Sequence, residues 1–325
     1  MLDEFRALGG TADNVCMREG VNGRGLFAVD PARPVALRIP DNLLIGRGDA
    51  LFDGETFRVG PNATLGERER AFLEGYMNQF SWRGGRAEIE QILDGAQMLP
   101  QELRHELRTK HFCGSWFEDA TERLVQAKFL DSRCIGYKGR SVVMPIIELI
   151  NHGAGAEYDT SNGVGISGNF PAEVFARYSD ADTYGLFLNW GFAAEQPQAM
   201  SIVLTGEIAQ TRFRIGRDLA DLKPVGRAWV PKVSSGPDGI DLTFLVIGNR
   251  QYPRLSKGIF YKIMRDAGLS GFEEAFDLIQ HSNRMHFLGL LAAIEDFSGP
   301  MVRTLKRMAR LQLQSLSFCY GVRSI

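Results

Sequence analysis

The sequence predicts an α+β protein: a β-rich core split by a helical insertion and followed by a mixed, largely helical C-terminal domain. Three observations predict it. Short apolar stretches broken by Gly and Pro occupy 22–45, helical spacing of apolar residues takes over at 65–129, and a β-branched apolar run returns at 141–150. With 325 residues, 44% of them hydrophobic, the chain buries a sizeable core and has the length of one large domain or two.

The elements follow in order. The segment NGRGLFAVDPARPVALRIPDNLLI at 22–45 reads as short strands joined by turns. ERERAFLEGYMNQF, AEIEQILDGAQML, PQELRHELRTKHF and FEDATERLVQAKFL then place apolar residues at helical spacing. Pro100 stands where a helix begins, since its missing N–H costs little there, and Asp119 with Thr121 and Glu122 marks another helix start. SVVMPIIELI reads as a buried strand that breaks at Asn151, His152 and Gly153 into a polar, Gly-rich loop ending near Pro171. EVFARYSD reads as a strand and TYGLFLNWGF as a short helix or turn. Beyond Glu195 come strands (MSIVLTGEIA, GRAWVPKV, GIDLTFLVIGN) and then three helices ending in MVRTLKRMARLQLQSLSFCYG. The expected divisions are 1–64 and 131–195 for the two parts of the core, 65–130 for the insertion and 196–325 for the C-terminal domain.

Composition narrows the function classes. Lys and Arg number 37 against 39 Asp and Glu, a formal charge of −2, so no general field draws the molecule to nucleic acid. The stretch 142–150 is interrupted by Pro145 and Glu148 and is well short of the roughly 20 residues a membrane helix needs. The N-terminal MLDEFRALGG carries acidic residues where a secretory signal has basic ones, and Cys16, Cys113, Cys134 and Cys319 form no C-x-x-C pair. A reducing cytoplasm is the expectation. His281 with His286, and His105 with His111, miss the i, i+4 spacing of a metal-binding helix, so no metal is expected.

Gly163, Gly165 and Gly168 spell G-x-G-x-x-G, but YDTSN precedes them and NFPAEVF follows. A dinucleotide site needs a strand before and a helix after, to aim amide groups at pyrophosphate, so the motif is set aside. The informative constellation is NGRGLF at 22–27, ELINHG at 148–153 and EVFARYSDADTYGLFLNWGF at 173–192. Over about 22–204 these stretches resemble the SET-domain methyltransferases, in particular the branch typified by the plant RuBisCO large-subunit lysine methyltransferase. The resemblance implies a pseudoknotted β-clip core split by helices, S-adenosylmethionine as cofactor and a protein lysine as substrate.

Residue by residue, the resemblance places the cofactor on the backbone of Asn22, Gly23 and Arg24, on Asn151 and His152, and on Arg133, which follows Ser132 and suits a carboxylate through parallel hydrogen bonds. It makes Tyr178 the catalytic tyrosine beside the transferring methyl group. Glu148, Tyr158 and Trp190 are the implied substrate contacts. The chain departs from the family at NWGF, where Trp190 stands for the Tyr of the usual Tyr-Gly-Phe and Phe192 keeps the aromatic end, at Pro171-Ala172-Glu173 in place of Gly-Glu-Glu, and at Tyr178-Ser179 in place of Tyr-Gly. A non-catalytic SET-fold binding module, a methyltransferase acting on histidine or another nucleophile, and an interaction protein built on the C-terminal domain remain open alternatives. The partner expected is a protein substrate, with no membrane. Arg303, Lys306, Arg307 and Arg310, opposite Leu305, Met308 and Leu311, read as a solvated face or as a docking face for an acidic protein surface or nucleic acid. The sequence does not fix an oligomeric state.

Overall fold

The computed structural model describes every residue except 209, 220–224, 226–227, 237–238 and 321–325, and every side chain of the rest except 154 and 318–320. Its architecture is α+β. Contacts divide the chain into two compact units, Met1–Gln91 with Ala120–Ser179, and Ile92–Asp119 with Asp180–Ile325. The helical stretch expected at 65–130 is thereby shared between them.

The first unit opens with a helix and a strand ahead of the region where the sequence shows its first β signal, Leu2–Ala7 and Thr11–Asp13. A hairpin pairs Val15–Gly20 with Gly23–Ala28. Val35–Ile39 lies between Thr11–Asp13 and Val164–Gly168, antiparallel to both. The glycines of the G-x-G-x-x-G run therefore sit in or beside a sheet strand, in agreement with setting the dinucleotide reading aside. Arg140–Val143 pairs with Ile45–Gly46 and Cys134–Tyr137, and Ala50–Asp53 with Thr56–Val59.

The strand expected at 141–150 is shorter than the sequence suggests. It ends at Val143; Ile146 takes a left-handed φ of 70°, and a 3-10 turn spans Ile147–Leu149. Pro145 has no N–H to give a ladder, which ends the pairing there. The strand resumes at Asn151–Ala156, where a loop was expected, running parallel to Phe175–Ala176. The strand expected over EVFARYSD is confined to that Phe-Ala pair.

Helices Glu67–Tyr76 and Trp82–Gln97 are joined by a π-helical turn, Met77–Ser81. Phe72, Tyr76 and Phe80 succeed one another at i, i+4 with ring centroids 6.3 and 6.2 Å apart. Trp82 packs on Phe52 at 4.4 Å and Phe129 at 4.9 Å, an apolar anchor for the helices of this unit. Helix Glu122–Arg133 starts where expected, its Thr121 hydroxyl accepting from Leu124 N–H at 3.2 Å.

The second unit holds Gln101–Thr109, which begins directly after Pro100 as expected, and Thr183–Trp190, capped by Asp182 and closed by Gly191 in the left-handed region. A four-stranded sheet runs in the order Leu204–Ile208, Thr211–Ile215, Gly239–Leu242, Val233–Gly236. The strand expected over GRAWVPKV is reduced to its last residue, Val233, with residues 226 and 227 outside the described ones. Helices Leu255–Asp266, Phe272–Ala293 and Pro300–Tyr320 follow. Phe213, Ile215, Ile240, Leu242, Phe260 and Phe276 share one buried cluster between sheet and helices.

Candidate active site

The turn Asn22-Gly23 ends the first hairpin, and the strand after it passes close to two polar side chains. A Cβ at Gly25 would stand 2.8 Å from Glu173 Oε1 and 3.0 Å from Asn151 Nδ2, so only glycine admits this approach. Asn151 Nδ2 donates to Glu173 Oε1 at 2.7 Å and to the Arg24 carbonyl at 3.2 Å, while Asn22 Nδ2 donates to Glu173 Oε2 at 3.2 Å. The buried Glu173 carboxylate thus ties NGRG to the Asn-His strand. Asn22, Phe27, Ala156, Phe170, Glu173 and Phe175 line a cavity of about 720 Å³ beside this tie, within the usual span of small-molecule sites.

His152 follows on the same strand. Its Nδ1 accepts from the Tyr178 backbone N–H at 3.3 Å, and the two rings stand 5.2 Å apart, edge to face. Burial, and then the positive charge of Arg177, push the His152 pKa below its ordinary value, so the imidazole is neutral and its proton sits on Nε2. The Tyr178 hydroxyl donates to the Ile150 carbonyl at 2.6 Å. Burial pushes the Tyr178 phenol up, with Arg133 opposing and Glu148, Glu88 and Glu173 adding to the shift. These groups occupy one neighbourhood, and Tyr178 stays a phenol across the neutral range. Tyr158 belongs to it as well: burial, Tyr178 and Glu148 raise its pKa well above the ordinary 10.0.

Arg133 ends helix Glu122–Arg133. Its Nη1 donates to Ser132 Oγ at 2.7 Å, its guanidinium lies 4.5 Å from the Phe129 ring centroid, and its Nε is 3.0 Å from Glu148 Oε2. Glu148 was expected to touch substrate. Its side chain has 0% exposure, and Tyr76, also fully buried, donates its hydroxyl to Glu148 Oε1 at 2.5 Å. Both oxygens are turned to protein groups, which makes Glu148 an internal counter-ion.

Of the residues singled out by sequence, Asn22, Gly23, Arg24, Arg133, Glu148, Asn151, His152, Tyr158 and Tyr178 all belong to the first unit, and Trp190 lies in the second. Arg24 contributes more than its backbone. Its Nη1 donates to the Phe80 carbonyl in the π-helical turn, and a Cβ at Gly84 would overlap its guanidinium. Glu173, Tyr76, Gly84 and Gly85 were not anticipated as site residues. The signal available was Gly84-Gly85 inside a helical run, a placement that costs about 1 kcal/mol per glycine relative to Ala and so asks for a packing reason.

Among the described residues no cluster of His, Cys, Asp or Glu suits a metal ion, and no helix is long and apolar enough to cross a membrane. The polar set does fit an adenosyl amino acid. The Arg133 guanidinium suits a carboxylate and the Asn151 amide oxygen an ammonium; His152 Nε2–H suits a ring nitrogen acceptor.

No protein-family model matches the chain, and no curated protein matches it. Among solved structures it is similar to the SET domain of LSMT bound to lysine and AdoHcy, with 16% identity and a TM-score of 0.45 over 98% of this chain and 89% of that one. A structure of Rubisco LSMT bound to AdoMet gives 14% identity and a TM-score of 0.46 over the same shares. Rubisco LSMT bound to sinefungin and monomethyllysine gives 15% and 0.45 over 97% and 88%.

Proposed function

We propose that this chain is a SET-domain methyltransferase that uses S-adenosylmethionine to methylate a protein lysine, with residues 196–325 presenting the substrate. One observation carries the reading: a half-buried phenol, Tyr178, gives its only hydrogen to the Ile150 carbonyl next to Asn151-His152, so its oxygen is left purely as an acceptor. The bound cofactor supplies a methyl group on positively charged sulfur. Everything else is the work of the chain.

Asn22, Gly23 and Arg24 offer main-chain groups to the cofactor, Arg133 takes its carboxylate, and Asn151 and His152 take its ammonium and ring nitrogens. The Tyr178 oxygen accepts weak C–H hydrogen bonds from a polarised methyl and holds the incoming amine in line. The amine must arrive without its proton, and the low polarity around two half-buried phenols favours the neutral form. Tyr158, whose hydroxyl makes no hydrogen bond among the described residues, is the second phenol available to that amine. Trp190 is retained as a substrate contact from its sequence position, and the cytoplasmic placement likewise rests on sequence.

The test is calorimetric titration with S-adenosylmethionine, followed by incubation with isotopically labelled cofactor and cell extract, with product analysis by mass spectrometry. Saturable binding and labelled methyl-lysine support the reading. A folded protein that binds cofactor and labels nothing leaves a binding module, and label on histidine moves the substrate class.

A further inference from the structure

We propose that Tyr76 and Glu148 are positioning residues that hold the Arg133 guanidinium ready for the carboxylate of an α-amino-acid group. The inference rests on the S-adenosylmethionine reading and adds the helical segment 67–97 to the groups that select the ligand.

The chain of contacts begins fully buried at Tyr76 and Glu148 and ends at the half-buried Arg133. Tyr76 has 0% exposure, and burial together with the negative charge of Glu148 pushes its phenol well above its ordinary pKa; it therefore remains a hydrogen donor. Glu148 receives that hydrogen on Oε1 at 2.5 Å and faces Arg133 Nε with Oε2 at 3.0 Å. The Nε–H points off the line to the oxygen, so this last contact is a charge pair without an aligned hydrogen bond.

A buried ion pair contributes little net stability, because desolvation offsets the attraction. What it does fix is direction. With Nε in charge contact with Glu148, Nη1 bonded to Ser132 and the flat face on Phe129, Nη2 is the nitrogen offered to an incoming anion. Room for the guanidinium exists because residue 85 is glycine: a Cβ there would stand 2.5 Å from Nη2 and 2.8 Å from Cζ. Nη2 now faces Glu88 Oε2, 3.5 Å away on a side chain 59% exposed. A contact that long and that wet is easily exchanged, so Glu88 occupies the place a ligand carboxylate takes.

The experiment compares two ligands that share a nucleoside and a thioether: S-adenosylhomocysteine, which carries the amino-acid end, and 5′-methylthioadenosine, which lacks it. Calorimetric Kd values are measured for the full chain and for Tyr76→Phe, Glu148→Gln and Glu88→Gln. Tyr76→Phe and Glu148→Gln are expected to weaken S-adenosylhomocysteine about tenfold, with methylthioadenosine unchanged. Glu88→Gln, an exposed substitution that leaves the buried array intact, is expected to tighten S-adenosylhomocysteine alone, by roughly threefold. Equal weakening of both ligands by Tyr76→Phe, or S-adenosylhomocysteine affinity indifferent to all three changes, overturns the positioning role while leaving the cofactor reading in place. A wild-type protein that binds neither ligand overturns the cofactor reading, and this inference with it.

Discussion

Tyr178 and Ile150 are joined by a 2.6 Å hydrogen bond from the phenol to the main-chain carbonyl, and that bond decides which way the Tyr178 lone pairs face. Tyr178→Phe leaves the carbonyl without its partner, at a cost of about 1 kcal/mol in unfolding free energy. Methyl transfer is expected to fall on the order of a hundredfold, the scale for losing one oriented polar group at a reacting centre. Calorimetry with S-adenosylmethionine and single-turnover labelling separate the two, and a transfer rate equal to wild type removes Tyr178 from the chemistry.

Arg24 and Gly84 form a second testable pair, because a Cβ at 84 would overlap the Arg24 guanidinium. Gly84→Ala alone is expected to destabilise, since Arg24 must leave the Phe80 carbonyl it donates to. In an Arg24→Ala background the same change is expected to stabilise by up to about 1 kcal/mol, the helix propensity gained by replacing Gly. Urea unfolding of the four proteins gives the coupling directly; additive effects contradict the overlap.

Asp182 is the buried hub of the second unit. It accepts from the Gly185 and Met200 N–H groups at 2.9 Å each and from Arg217 Nη2 at 2.7 Å, with Gln312 as a further donor. Asp182→Asn strands the Arg217 charge, and a loss of roughly 3–5 kcal/mol is expected. Adding Arg217→Met should recover part of it in chemical denaturation, whereas a double variant no more stable than the single one argues against the ion pair as the cause.

His286 and His111 give the second unit an acid-sensitive point. Burial, with help from His111 and Arg217, lowers the His286 pKa to about 4, and burial lowers that of His111; His286 Nε2 and His111 Nδ1 have no hydrogen-bond partner among the described residues. The folded pKa lies below the unfolded value, so the unfolded chain binds the proton first. Stability is therefore complete above pH ~6.5 and falls between there and pH 4, by about 3 kcal/mol for His286. Tyr184, Phe112 and Phe287 pack on the same ring and bring no carboxylate to offset the charge. Melting temperatures at pH 7 and 4.5 should differ less in His286→Phe than in wild type; an equal drop in both proteins assigns the acid sensitivity elsewhere.

Sequence alone determined what is local. Thr121 and Asp182 each cap a helix with a side chain that reaches three residues ahead, and Gly191 ends one because it accepts a left-handed conformation; such signals act within a turn and can be read in order. The motif residues Asn22, Arg133, Asn151, His152 and Tyr178 were singled out through the resemblance of their short motifs to a known family, and the structure places all five in one unit. The tertiary structure decided everything that depends on distant partners. Tyr76 meets Glu148 across 72 positions and Asn22 meets Glu173 across 151, and no periodicity carries that information. It also decided where the run 141–150 stops being strand, since whether Pro145 ends a ladder depends on which neighbour lies beside it. Glu148 shows the difference most directly. Its position marked it as a site residue, but only burial beside Tyr76 and Arg133 turns a carboxylate from a ligand contact into the counter-ion that holds one.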